Sequence, residues 1–157
     1  MSSHTNTGIF ARLDQLRDAL ERFPYWALAI PLRFAVGIIF WNSAMTKLDD
    51  WNAALSLFTD EYKVPLLPPV FAAYMTVSIE LTAPVLLALG LATRPTALLL
   101  LGMTTFIEIF IYPMAWPTHL QWAAMLLVLL FRGPGTVSLD HVIRTRLWPG
   151  ATKPSMH

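Results

Sequence analysis

The sequence contains no cysteine among its 157 residues. This absence excludes disulfides, thiolate metal ligands and iron–sulfur clusters. Charged residues make up only 13% of the chain, where soluble domains carry roughly 25%. The net charge is +1, so the charge balance does not indicate nucleic-acid binding. A glycine-rich phosphate-binding loop is also missing from the sequence.

The sequence is rich in hydrophobic residues, and many of them lie in long segments. Hydrophobic residues make up 55% of the chain, and the mean hydropathy is +0.53. A chain with so few charges needs lipid around part of its surface. Four apolar segments have the length of a membrane span or approach it: residues 25–44, 68–91, 95–112 and 118–131. The last is short, so we expect a tilted or half-buried helix, with local thinning of the bilayer or snorkelling of flanking residues. We therefore predict an all-α polytopic membrane protein with a four-transmembrane-helix bundle.

Amphipathic segments flank this bundle on both sides. Within residues 8–23, apolar residues recur at helical spacing and arginines occupy the other face, which indicates a helix lying in the membrane interface. A solvated helix packed on protein is the alternative. The turn Gly133-Pro134-Gly135 ends the fourth span, and a second amphipathic helix, ending at Trp148, follows with Ser138 or Asp140 as its cap.

The basic residues predict the orientation. Arginines concentrate before the first span, in the second loop and after the fourth span, whereas the first and third loops contain few basic residues. By the positive-inside rule, both termini are predicted to be cytoplasmic. We divide the chain into an N-terminal segment 1–23, a membrane domain 24–132 and a C-terminal tail 133–157.

Two charged residues fall inside the predicted spans. Arg33 and Glu80 each lie roughly 14–16 Å from the cytoplasmic end of their span, so in antiparallel helices they are expected to meet. A charge at this depth is either paired for structural reasons or functional, and the sequence leaves both open. Pro84 lies four residues after Glu80 and would free a backbone carbonyl there.

A second polar layer is predicted near the outer end of the bundle. Lys47 closes the first span together with Asn42, Glu108 lies one turn from Thr104, and His119 opens the fourth span. If these faces converge, they line a pocket that opens to the outside, in which Glu108 and His119 are candidates to bind a divalent metal or relay a proton. Two ligands are too few to define a metal site, and interfacial residues reaching toward water are the alternative.

Several motifs occur together in a characteristic order. They are RFAVGIIF at 33–40, ELTAP at 80–84, LGLATR at 89–94 and GPGTVSLD at 133–140. In this order and spacing the chain resembles the DoxX family, over roughly residues 27–141.

The resemblance implies a four-helix protein of the bacterial inner membrane, in which Arg33, Lys47, Glu80 and Asp140 match family motif positions. The family is named for a subunit associated with thiosulfate:quinone oxidoreductase. By this likeness, the chain is expected to be a membrane subunit or partner of a quinone-linked redox system. Quinone would bind between spans near Arg33 and Glu80, and a redox partner protein would supply electrons.

Two alternatives from other classes stay open. The chain is equally compatible with a binding or transport module for a small solute, a proton or a metal. It is also compatible with a non-catalytic membrane scaffold, in which the polar layer only holds the helices together. Whether it is an enzyme, and whether it forms an oligomer, the sequence does not decide.

Overall fold

A computed structural model describes residues 6–65 and 67–147, with side chains from residue 8 onward. In these residues the chain is helical and contains no strand. The helices are α1 Asn6–Glu21, α2 Tyr25–Asp49, α3 Trp51–Ser56, a π-helix Leu57–Tyr62, α4 Pro69–Leu89, α5 Thr93–Phe110, α6 Trp116–Arg132 and α7 Leu139–Leu147. The all-α class predicted from the sequence is confirmed.

The first apolar helix is longer than predicted. It continues past residue 44 to Asp49, because residues 45–49 contain neither glycine nor proline to end it. Asp50 then separates α2 from α3, and its side chain accepts a hydrogen bond from the Ala53 amide at 2.9 Å. The connection between α2 and α4 thus contains the short helix α3, and a π-helix extends it.

Four long helices form the bundle, in which α2 packs along α4 and α5 packs along α6. Gly37 of α2 faces Pro84 of α4, where a Cβ on the glycine would lie 3.6 Å from the proline Cα. The small side chain lets the two helices approach closely. Eight buried residues, two from each long helix, form the central core: Val36, Phe40, Ala83, Leu87, Ala97, Leu100, Leu126 and Leu129.

The outward surface of the bundle is apolar on all four long helices. Examples of exposed residues are Ile38, Phe71, Ile109 and Leu120, each more than half exposed. Among the described helices, α2 and α4 are long and apolar enough to cross a membrane. The shorter α5 and α6, with 18 and 17 residues, do not meet the same criterion.

Both flanking helices are present. In α1 the apolar residues are exposed, as Leu13 and Leu20 illustrate at 54% and 66%. In α7 the apolar residues are partly or largely exposed, and none is buried. The predicted amphipathic helices are thus confirmed as helices, while Trp148 and residues 149–157 of the predicted tail lie outside the described residues.

Candidate functional site

Arg33 does not pair with Glu80, and this prediction was wrong. The guanidinium donates to three backbone carbonyls instead: Pro134 at 3.0 Å, Val137 at 2.7 Å and Ala88 at 2.9 Å. Arg33 is only 4% exposed. It therefore ties the end of α4 and the segment after α6 to α2, a structural role.

The depth estimate failed because the ends of α2 and α4 are not level. Ala88, near the end of α4, lies beside Arg33, and Glu80 lies about 12 Å farther along that helix. Side chains on a helix point back toward its N-terminus. The long side chain of Lys47 therefore reaches from the far end of α2 to the level of Glu80.

Glu80 is bound by Lys47 and Ser43. The Lys47 Nζ atom lies 2.9 Å from both carboxylate oxygens of Glu80. The Ser43 hydroxyl donates to Glu80 Oε1 at 2.9 Å and accepts from Lys47 Nζ at 2.8 Å. The Glu80 side chain is 3% exposed and that of Lys47 is 14% exposed. The negative charge of Glu80, which was predicted to lie inside a span, is thus neutralised by Lys47, which was predicted to belong to the outer polar layer.

Glu108 and His119 meet as expected. Glu108 Oε2 lies 2.6 Å from His119 Nδ1, and the imidazole packs edge-on against Trp122. His119 is buried and Glu108 is partly buried. Groups of three or more metal-ligating side chains are absent from the described part of the chain, so the pair offers two candidate ligands and no more. Of their expected neighbours, Asn42 is exposed and Thr104 is buried.

A cavity of about 790 Å³ lies between α4 and α5, which contact each other at few places. We call it the α4–α5 cavity. Lys47, Glu80 and His119 line it together with Ser43. Its volume lies within the range of ligand pockets, roughly 300–1,000 Å³. The rest of its wall is mainly apolar and aromatic, including Phe58, Tyr62, Ile79, Met103, Phe106, Tyr112 and Trp122.

The α4–α5 cavity is open at its side. Leu98 and Leu99 on α5 and Met75 on α4 line it and are 57%, 50% and 40% exposed. Gly102 also lines it, and a Cβ on this glycine would meet no atom within 4 Å. The opening therefore lies in the apolar surface of the bundle.

A lid made of α3 and the π-helix, Trp51–Tyr62, covers one end of the cavity. Buried Phe58 packs with Ala72 and Ala73 of α4. The Tyr112 hydroxyl, just after α5, donates to Glu61 Oε1 of the lid at 2.7 Å. The lid is thus attached to the two helices that border the cavity.

Asp140 caps a helix, but not the one predicted. Its carboxylate accepts from the amides of Ala92 and Thr93 at 2.7 and 2.9 Å, at the N-terminus of α5. Ser138 caps α7 by accepting from the His141 amide at 3.2 Å. The two candidate caps therefore stabilise different helices.

The predicted turn after α6 is a tertiary anchor. The Tyr25 hydroxyl donates to the Gly133 carbonyl at 2.7 Å, and Pro134 accepts from Arg33. Gly135 has φ +82°, and a Cβ there would lie 3.0 Å from Trp26 Cα. Pro84, buried against Gly37, is not among the residues that line the α4–α5 cavity.

Sequence reasoning missed Ser43 and the aromatic wall. Ser43 lies one turn before Lys47 on the same helical face, and this spacing is a signal that could have found it. Tyr62 and Trp122 carried no such signal, because aromatic residues near span ends are typical of an interfacial belt.

The fold and this site define a class: an all-α protein with two helices long and apolar enough to cross a membrane and a ligand-sized cavity between helices. The DoxX family model matches residues 28–113, more than half of the chain. The chain belongs to the DoxX family. No curated protein and no solved structure matches it.

Proposed function

We propose that the chain is a four-span protein of the bacterial inner membrane that binds a quinone in the α4–α5 cavity, as membrane subunit or partner of a redox system. The observation that carries the proposal is the cavity itself, because it joins a sideways apolar opening to acidic and basic side chains that are buried or partly buried. In this arrangement residues 24–132 are the membrane domain, flanked by segments 1–23 and 133–157.

The outward faces of α5 and α6 support the four-span arrangement. Large apolar side chains on both helices are exposed, including Leu98, Ile109, Leu120 and Phe131. In water, such a surface would be unfavourable on a monomer, whereas lipid accommodates it. The distribution of lysine and arginine supports cytoplasmic termini, with the lid on the opposite side.

The cavity wall suits a quinone head group. A planar ring with two carbonyls needs aromatic neighbours and polar groups at its edge, and Phe106, Tyr62 and Trp122 are lining aromatic residues. His119 Nε2 bonds to no described residue, since Glu108 engages Nδ1. The isoprenoid tail would leave through the side opening between α4 and α5.

Quinone reduction takes up two electrons and two protons. The cavity offers two places for proton exchange, the Glu80–Lys47 pair and the His119–Glu108 pair. A carboxylate beside an imidazole orients the ring and sets its tautomer. A redox partner protein would supply the electrons, as the family resemblance implies.

Filling the cavity tests the proposal. Gly102→Leu places a side chain in the α4–α5 cavity without a backbone clash. Thr105→Leu adds bulk at an exposed position of the same helix, one turn from Gly102, that is not among the lining residues, and is the matched control. Each protein is purified gently from its membrane, and bound quinone is measured by mass spectrometry.

We expect quinone in near-stoichiometric amount with the unmodified chain and with Thr105→Leu, and a loss of at least about tenfold with Gly102→Leu, as expected when a ligand site is sterically blocked. Equal quinone in all three proteins would contradict binding in this cavity. A preparation without quinone or redox partner would favour the scaffold.

A metal- or proton-binding module is the second candidate, favoured by the 2.6 Å contact between His119 and Glu108. Metal analysis of the same preparations distinguishes it. A stoichiometric divalent metal that is lost in His119→Ala would support this candidate over quinone binding.

A further inference from the structure

A second pocket lies at the opposite end of the bundle from the lid. Its volume is about 660 Å³, and it is bordered by the start of α2, the start of α5, the turn after α6 and α7. Three arginines line it: Arg94, Arg132 and Arg144. We call it the arginine pocket. It shares no lining residue with the α4–α5 cavity.

The charge of the arginine pocket is not neutralised by its own residues. The ion pairs found in the described part of the chain do not include these three arginines. Asp140 is the one lining carboxylate, and both of its oxygens already accept from the amides of Ala92 and Thr93. His141 also lines the pocket and would add positive charge if protonated.

Two of the arginines are held in place by uncharged groups. Arg132 lies over the ring of Tyr25, 4.9 Å from its centroid, and the hydroxyl of Tyr25 is itself bound to the Gly133 carbonyl. Arg94 donates to the Phe131 carbonyl at 3.3 Å. These contacts position the guanidinium groups while leaving most of their donors available for an anion.

The surroundings of the pocket favour a lipid over a soluble anion. Trp26 lines the pocket and is 42% exposed, and Phe131, next to Arg132, is 74% exposed. Aromatic residues of this kind are typical of the membrane–water interface. An anion bound here would therefore have apolar surface beside it for acyl chains.

We propose that the arginine pocket binds the phosphodiester head group of an anionic phospholipid in the leaflet on the side of the chain termini. The inference rests on the membrane placement proposed above but not on quinone binding. Basic pockets between helices on the cytoplasmic side are a recognised mode of binding for such head groups, and guanidinium groups bind phosphate oxygens in bidentate fashion.

The test uses the full chain in detergent and native mass spectrometry. The probes are dioleoylphosphatidylglycerol, zwitterionic dioleoylphosphatidylcholine and soluble glycerol 1-phosphate. Arg94, Arg132 and Arg144 are replaced together by glutamine. The matched control, the α1 triple variant, replaces Arg12 and Arg17 of α1 and Arg22, just after α1, by glutamine. It removes the same charge outside the pocket.

A single variant, Arg144→Gln, guards against misfolding of the triple variant, because Arg144 is exposed and the Arg94 and Arg132 contacts stay intact. We expect phosphatidylglycerol to bind about fivefold more weakly to Arg144→Gln and about a hundredfold more weakly to the pocket triple variant. The α1 triple variant should bind as the unmodified chain does.

Three results would overturn the proposal. They are equal weakening in both triple variants, equal binding of phosphatidylcholine, and binding of glycerol 1-phosphate as tight as that of the lipid, which would identify a soluble phosphate ester as the occupant. Quinone content is measured separately through Gly102→Leu, so failure of quinone binding and failure of lipid binding give distinguishable results.

Discussion

At the scale of single residues, the buried ion pair is the feature with the clearest energetic consequence. Glu80 is almost fully buried, whereas Lys47 retains some exposure. Loss of one partner from a buried pair leaves an uncompensated charge, at a cost of about 3–5 kcal/mol. A lysine near a helix end can reach toward water, but a carboxylate at the depth of Glu80 cannot.

We therefore expect Lys47→Met to lower the free energy of unfolding by about 3–5 kcal/mol, and Glu80→Leu to lower it by less. The double variant Lys47→Met, Glu80→Leu should recover most of the loss, because no charge is left unpaired. Reversible unfolding in detergent measures all three.

Arg17→Met is the control for this pair. It breaks the Arg17–Glu21 ion pair on α1, whose side chains are 75% and 61% exposed, so we expect a change within about 1 kcal/mol. If the double variant were as unstable as Lys47→Met, the pair would have a role beyond charge compensation.

At the scale of elements, the lid is the part of the structure whose attachment can be weakened selectively. Tyr112 binds Glu61 at one edge of the lid, while Phe58 packs on α4 at the other. A lid held by the hydrogen bonds of one tyrosine and by apolar and aromatic contacts can open locally without unfolding of the bundle.

Tyr112→Phe should remove that hydrogen bond and lower local stability by about 0.5–1.5 kcal/mol. Hydrogen exchange of amides within the lid, Trp51–Tyr62, should then be roughly three- to tenfold faster, which is the change in the opening equilibrium that this loss of stability produces. Tyr74→Phe is the matched control, since the Tyr74 ring also packs on the lid residue Trp51 but its hydroxyl bonds to no described residue. Unchanged exchange in Tyr112→Phe would mean that packing alone holds the lid.

At the scale of the whole molecule, the number of spans decides on which side of the membrane each site lies. If α5 and α6 cross as well as α2 and α4, the connection between α5 and α6 lies on the side of the lid. If only α2 and α4 cross, that connection lies on the side of the N-terminus. The absence of cysteine makes the distinction directly testable.

Single cysteines are introduced as Gly8→Cys, Asp60→Cys, Met114→Cys and Thr136→Cys, at positions that are exposed. Because the membrane blocks a charged maleimide, we expect it to label residues 60 and 114 from outside the cell, and residues 8 and 136 only after permeabilisation. The cysteine-free parent is the blank. Labelling of residue 114 together with residue 8 would contradict the four-span arrangement.

Much of this protein follows from local sequence. Apolar length, helix-breaking turns and the amphipathic periodicity of α1 and α7 depend on neighbouring residues, so the positions of the helices and the meeting of Glu108 with His119 across a short connection could be predicted. The motifs at 33–40, 80–84, 89–94 and 133–140, taken together in their order and spacing, were likewise enough to predict the family.

The partners of the buried charges were decided by tertiary structure. The partner of Glu80 depends on the axial offset between α2 and α4 and on the length of the Lys47 side chain. It also depends on Arg33, whose donors are already bonded to backbone carbonyls. The α4–α5 cavity depends on two helices that pack elsewhere and leave a gap between them. The periodicity of a segment predicts which of its faces is buried, but not its distance from a segment far away in the sequence. Such distances are set only when the helices pack.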